Sequence, residues 1–305
     1  MKWLVSGCDG GLAYEVIARL TEMGEEVVGL NRLQLDVTNP SAMEIAFEMH
    51  KPDVYYHGAS IHVVDHIQSN PQKAWTVNVG ALAHACELAK KYRTRVVNIS
   101  TNYVFGEDNL SVLEAYREEY TEHTDPQPDN LYGLSKLQGE EVGKHSGRCQ
   151  SFRVAGLFGK VGSSAKDGSN FPYIILNQLK DWYPGGQSLV SINDQFMNFT
   201  YTKDAAKQIV HVASLEAQCK GCIYSDTALY HVCNKGRATW FEVAEFIAQL
   251  KGKHGAYVPC TTEEFHKDDI PRPKWTPIKT ALNQPKMSTW QNAIVRFLHE
   301  IGEIE

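Results

Sequence analysis

Four short apolar runs lie within the first hundred residues, and the first three are each followed by a turn and a stretch with helical spacing. This alternation restricts the possible folds more than any other feature of the chain. Lys2 to Ser6 leads into a glycine cluster and then Ala13, Val16, Ile17 and Leu20, ended by Gly24. Glu26 to Leu30 leads to Asn39 and Pro40, an N-cap with proline in the first turn, and a helix to about Met49. Val54 to Tyr56 precedes a long helix capped by Asn70 and Pro71 that runs to about Lys91, and Val96 to Ser100 is a fourth strand. A fifth is expected at Ser151 to Ala155. Near-continuous apolar strands alternating with helices imply parallel strands covered on both faces, joined by right-handed crossovers. The expected fold class is α/β, a doubly wound parallel sheet.

Beyond the fifth strand the pattern loosens, and Val161 to Asn170 reads as loops over a cleft. Thr239 with Glu242 forms a capping-box signature for a helix to about Leu250. Ser288 precedes a last amphipathic helix carrying Ile294, Phe297, Leu298 and Ile301. The expected division is a dinucleotide-binding domain over 1–155 plus about 191–233, with a smaller substrate lobe over about 156–190 plus 234–305.

The turn after the first strand reads Gly7, Cys8, Asp9, Gly10, Gly11, Leu12, Ala13. Glycines there let the backbone approach a pyrophosphate, and the helix that follows presents its N-terminal amides to the phosphates. An acidic residue at the end of the second strand would hold a ribose 2′-hydroxyl, but Asn31 and Arg32 stand there instead. A guanidinium can pair with a 2′-phosphate that a carboxylate would repel, so the expected cofactor is NADPH. Asp36 with Val37, and Gly58 with Ala59 after the third strand, are candidates for lining the adenine and ribose.

A helix from about Asn130 carries Tyr132 and Lys136 four residues apart, on one face. An ammonium beside a phenol is expected to lower the tyrosine pKa, and Tyr132 could then protonate a developing alkoxide as hydride arrives. Ser100, Thr101, Asn102 and Tyr103 end the fourth strand, placing hydroxyls at the carboxyl edge of the sheet, where Thr101 could hold a substrate carbonyl. Glycine turn, Ser/Thr strand end and Tyr-x-x-x-Lys follow one another in the order such a site requires.

With these parts the chain resembles the extended short-chain dehydrogenases of Rossmann type, and within them the dTDP-4-dehydrorhamnose reductase family. The resemblance rests on Ser100 to Phe105, Tyr132 to Glu140, Gly168 to Phe171, Ile192 to Phe196 and Arg272 with Pro273, in family order over almost the whole length. It implies Thr101, Tyr132 and Lys136 as a catalytic triad, NADPH as hydride donor, and a 4-keto-6-deoxyhexose on a nucleoside diphosphate as substrate. It also implies Ser60, Asn102, Tyr103, Asn170, Asp194, Gln195 and Arg272 as substrate-binding candidates. Three departures stand out: Asn102 where the family usually has Asp, Gly156 where a Trp is usual, and Met197, Asn198 and Phe199 in place of Gly-x-Pro. A missing indole would reshape the sugar pocket.

Two other readings stay open at this point. One is a nucleotide-sugar epimerase or dehydratase with a tightly held cofactor. Asn102 and Tyr103 after Thr101 disfavour a dehydratase, and Arg32 disfavours the NAD that epimerases retain. The other is a non-catalytic cofactor-binding subunit resembling the methionine adenosyltransferase β subunit.

A net charge of −6 over 305 residues gives no basic field, so nucleic acid is not an expected partner. No apolar stretch has the length of a membrane span and no signal peptide precedes the first strand, which makes the cytoplasm the expected compartment. Seven cysteines are an odd count that suits reduced thiols, and Cys219 with Cys222 lacks the second pair a structural zinc site needs. His57, His62 and His66 read as loop or packing histidines, and Trp240, Phe241, Trp290 and Phe297 as core residues. No metal is expected. Some relatives dimerise around one, but the isolated Glu15 is too little to claim that here, and a homodimer is left open.

Overall fold

The computed structural model describes residues 1–106, 118–162, 168–218, 229–282 and 286–305. Its main elements are β1 (Lys2–Ser6), α1 (Gly11–Glu22), β2 (Glu26–Leu30), α2 (Pro40–His50), β3 (Val54–His57), α3 (Ala81–Tyr92) and β4 (Arg95–Thr101). They continue with α4 (Leu131–Ser146), β5 (Cys149–Val154), α5 (Phe171–Asp181), α6 (Thr202–Gln218), β6 (Leu229–Val232), α7 (Trp240–Leu250) and α8 (Trp290–Glu300). The Cys219 and Cys222 pair and part of the Val161 to Asn170 segment lie outside the described residues.

The six strands form one wholly parallel sheet in the order β6-β5-β4-β3-β1-β2. The chain reverses its winding direction between β1 and β3, where neighbouring crossovers leave on opposite faces and open a crevice at the carboxyl ends of the strands. Trp3, Leu4 and Val5 are fully buried because both faces of β1 are covered. On one face Leu12, Val16 and Leu20 of α1 pack with Ala206, Ile209 and Val210 of α6. On the other, Met43 and Phe47 of α2 pack with Leu82, Ala85 and Ala89 of α3. A second core joins Ile175 and Leu179 of α5, Val243 and Ile247 of α7, and Ile294, Phe297 and Leu298 of α8. A short parallel pair, Leu189–Ile192 with Tyr257–Cys260, lies beside it.

The long helix expected from Asn70 to about Lys91 is interrupted. Asn70 caps it by accepting from Lys73 N (3.1 Å), but after Pro71–Trp75 it opens into a π turn at Thr76–Gly80 before continuing as α3. The last helix is capped by Thr289, whose side chain accepts from Asn292 N, while the Ser288 hydroxyl accepts from Arg296 Nη2 at 2.8 Å.

Candidate active site

A cleft of about 1120 Å³ runs along the carboxyl ends of β1, β3 and β4 to α5 and α7. At one end, Gly7 adopts φ 64°, and a Cβ there would stand 2.9 Å from Ala59 N, so glycine alone lets the first turn settle against Gly58 and Ala59. A Cβ on Gly11 would meet Val161 O at 2.3 Å. The N-cap of α1, Gly10, supplies no side-chain hydrogen bond, and the first turn carries no acid. The leading amides of α1 therefore keep an unspent preference for an anion, beside a cleft that Leu12 and Ala13 line.

Asn31 and Arg32 follow β2 on the cleft rim. The Asn31 carboxamide accepts from Leu33 N (3.0 Å) and Gln34 N (3.2 Å), which folds the turn and leaves Arg32 exposed at the mouth. The Asp36 carboxylate accepts from Thr38 Oγ1 (2.7 Å) and Thr38 N (2.9 Å), and these bonds hold it below the usual carboxylate range. Val37, Gly58, Ala59 and Ser60 complete this end.

The centre of the cleft is built on α4. Asn130 accepts from Gly133 N (2.9 Å) to start the helix, and its amide donates to Pro271 O (3.1 Å). Gly133 lies so close to the strand-end segment that a Cβ would stand 2.0 Å from Tyr103 O. This contact brings Tyr132 to the strand end, where the Thr101 hydroxyl donates to Asn102 Oδ1 (3.3 Å) and accepts from Tyr103 N (3.2 Å). Thr101 and Asn102, Tyr132 and Lys136 all line the cleft. Tyr103 stands behind, edge-on to Tyr132 with centroids 5.9 Å apart. Asn102 is buried and donates to Thr276 Oγ1 (2.7 Å), so its carboxamide ties the strand end to a distant loop.

The electrostatics differ from the expectation that Lys136 would lower the Tyr132 pKa. Burial pushes the phenol up to about 12, with the Thr101 hydroxyl acting in the opposite sense. Lys136 is itself pulled down to about 8 by burial, against the Glu140 carboxylate one turn further on. Burial is the largest cause for both groups. Glu140 is buried and grips Arg153 with two bonds (2.9 and 2.6 Å) while accepting from Ser100, so α4 is fixed to β4 and β5 directly behind the cleft.

Of the residues expected to grip a nucleotide-sugar, Asn170 lines the cleft. It precedes α5, its amide donates to Gly159 O (2.7 Å), and its buried carbonyl oxygen has no hydrogen-bond partner. Asp194, Gln195 and Arg272 do not line it. Asp194 accepts from Thr262 N (2.9 Å) and Oγ1 (2.6 Å). Arg272 pairs with Asp268 (2.6 Å) and, from across the mouth, Asp65 (3.0 Å). Gly156 has φ 49°, and a Cβ on it would meet Asn198 O at 2.4 Å, so the backbone itself excludes a side chain there. Asn198 in turn accepts from Ile278 N (2.7 Å) and donates to Gly236 O (3.1 Å), making its segment a structural tie.

Two features, Asn78 and the cleft face of Trp240, escaped the sequence reading, whereas His57 is buried as a packing histidine would be. Asn78 in the π turn accepts from Ile61 N (2.9 Å) and donates to Ile61 O (2.9 Å) and Ser135 Oγ (3.0 Å), clamping the loop after β3 to α4. A polar residue within an otherwise apolar helical face was its only signal. His57 is buried at the cleft floor, pushed down to about 3 by burial and by the Lys136 ammonium. Trp240, read as core, lines the cleft and is only partly buried. Among the described residues no cluster of His, Cys, Asp and Glu could hold a metal, and no helix is long and apolar enough to cross a membrane.

A doubly wound parallel sheet with an uncapped first helix at its switch point, and a Tyr-x-x-x-Lys helix facing a strand-end threonine, defines an extended short-chain dehydrogenase/reductase. The family model described as RmlD substrate binding domain matches residues 1–302, and the chain belongs to that family. It is 29% identical to the spore coat polysaccharide biosynthesis protein SpsK of Bacillus subtilis (strain 168), over 98% of this chain and 97% of that one. The dTDP-4-dehydrorhamnose reductase of Clostridium acetobutylicum superposes with a TM-score of 0.85 at 27% identity, covering 99% of this chain and 100% of the other. That of Bacillus anthracis, solved in complex with NADP, gives 0.83 at 25% identity, covering 98% and 99%.

Proposed function

We propose that this protein is an NADPH-dependent reductase of the 4-keto group of a nucleoside-diphosphate 4-keto-6-deoxyhexose, as the dTDP-4-dehydrorhamnose reductases it resembles are named. The observation that carries this reading is the single cleft in which Thr101, Tyr132 and Lys136 follow directly from the uncapped start of α1 and the Arg32 rim. The residues present suit a dinucleotide: α1 amides for the pyrophosphate, Arg32 for a 2′-phosphate, and Asp36, Val37, Gly58 and Ala59 around the adenosine. Residues 1–155 with 191–233 would hold it, and the remaining lobe the nucleotide-sugar, with Ser60, Asn102 and Asn170 on the substrate side.

Bound there, the reduced nicotinamide is the hydride source. Tyr132 keeps its proton at neutral pH, since burial holds its pKa up to about 12, and this is the state an acid needs when a carbonyl becomes an alkoxide. Thr101 donates a hydrogen bond to the same oxygen and orients the carbonyl. Lys136, one helical turn further on, offers a cation to the same cleft while it remains protonated.

The test mixes the protein with NADPH and dTDP-4-keto-6-deoxyglucose, with and without its 3,5-epimerase, and follows absorbance of the reduced nicotinamide. Loss of absorbance matched by a 6-deoxyhexose product is expected. No turnover with several nucleoside-diphosphate keto-sugars would overturn the reading.

A further inference from the structure

We infer that Trp240 is the wall against which the apolar face of the deoxysugar rests, and that Gln195 is the positioning residue that holds it there. The inference deepens the reductase reading and rests on it. Trp240 is the first residue of α7, placed by a capping box: Thr239 Oγ1 accepts from Glu242 N (3.1 Å) and the Glu242 carboxylate accepts from Thr239 N (2.7 Å). A capped helix start has little freedom, so the indole projects from a fixed point.

The indole is also fixed in rotation. Its Nε1 donates to Gln195 Oε1 (3.0 Å), and Gln195, only 2% exposed, donates through Nε2 to Thr262 Oγ1 (3.0 Å). Thr262 Oγ1 donates onward to Asp194 Oδ1 (2.6 Å). Phe171 and Phe199 meet the ring edge-to-face at 4.6 and 5.1 Å. A hydrogen-bond chain three side chains deep and two aromatic edges thus hold one partly exposed tryptophan in one orientation. Any buried indole N–H needs a partner, but here the chain fixes a ring that lines the cleft, which is what a preorganised binding surface requires. Asp194 and Gln195 accordingly serve the ligand through the indole.

Adjacency puts this wall at the reacting end of the cleft. Thr101 is in register with Val154, and Gly156 follows two residues later. A Cβ on Gly156 would lie 3.2 Å from Phe199 Cα, and the Phe199 ring touches Trp240. Phe171, which directly follows Asn170, packs against both the indole and the Phe199 ring, with centroids 4.6 and 6.1 Å away. The indole therefore sits beside the start of α5 and the Phe199 segment that closes on Gly156, in the same cleft as Thr101 and Tyr132. A 6-deoxyhexose offers a methyl group and C–H bonds to such a ring and keeps its hydroxyls for polar partners. Where Gly156 can carry no side chain, Trp240 brings an indole in from another element.

Calorimetric titration of the full protein with NADPH, dTDP and dTDP-rhamnose tests this on Trp240→Ala, Trp240→Phe and Gln195→Leu. Trp240→Ala should weaken dTDP-rhamnose by about 10-fold or more, with dTDP and NADPH within about 2-fold of wild type. Trp240→Phe should recover most of the loss, and Gln195→Leu should fall between, and in the NADPH turnover assay it should raise KM more than it lowers kcat. Equal weakening of dTDP and dTDP-rhamnose would put the ring under the base and overturn the assignment, as would unchanged dTDP-rhamnose affinity. Retained NADPH binding shows that a variant is folded; if Trp240→Ala loses it, Trp240→Phe and Gln195→Leu decide by the same comparison. Wild-type protein that binds NADPH but neither dTDP-rhamnose nor any of dTDP, UDP and GDP would instead overturn the reductase reading, and the inference with it.

Discussion

Lys136 is 4% exposed, faced by His57 from β3, Cys149 from β5 and Glu140 from its own helix. Burial brings its pKa down to about 8, so it is a cation below that pH and neutral above. Any step that uses the cation is therefore present at neutral pH and lost as pH rises. Because kcat/KM reports ionisations of the free enzyme, its pH profile should fall through about pH 8, and Lys136→Arg, charged throughout, should lack that limb at a lower absolute rate. A falling limb of the same position in Lys136→Arg would show that another group causes it. Tyr132 and Lys136 were legible in the sequence because helix geometry alone puts residues four apart on one face. Arg272, Asp194 and Gln195 were not legible as partners of other side chains. They lie in irregular segments, where spacing carries no information about which atom a side chain meets. Trp240 misled for a different reason. Its helical spacing matches a core residue, but its place at the first position of α7 turns it to the cleft.

At the scale of elements, β1 to β5 were visible as apolar runs, since burial on both faces writes itself into composition. β6 was not read, because it pairs with a strand far away in sequence. The π turn was equally hidden: one widened turn leaves the apolar pattern on either side intact. It turns Asn78 toward both Ile61 and Ser135, so the loop that frames the cleft centre and the helix that carries Tyr132 share one clamp. Asn78→Ala removes these bonds and strands the Ile61 amide groups. It should cost about 1–3 kcal/mol, seen as a lower urea midpoint at unchanged slope. A midpoint equal to wild type would mean that the clamp contributes nothing net.

Across the whole molecule, the sheet with its two helical faces and the core of α5, α7 and α8 meet along the cleft. The Arg272 guanidinium bridges them by holding Asp268 on its own side and Asp65 on the other. Two buried imidazoles make the assembly sensitive to acid. His57 is pushed down to about 3 and His231 to about 4, chiefly by burial, against an ordinary value of 6.5. The unfolded chain takes up protons near 6.5 that the folded protein refuses until much lower pH. Their contribution to stability is therefore complete above 6.5 and is lost as pH falls from there toward 3 to 4. The melting temperature should drop steadily below about pH 6.5, and His57→Asn should flatten part of that slope. A melting temperature constant from neutral pH down to about 4.5 would contradict it.

The central claim is that Tyr132 delivers a proton to a keto-sugar in an NADPH-dependent reduction. Its most direct test is turnover by wild type and Tyr132→Phe under saturating NADPH and dTDP-4-keto-6-deoxyhexose, with NADPH affinity measured on both. Equal NADPH binding and a kcat about 100-fold or more lower in the variant are expected. Equal rates for the two proteins would contradict it.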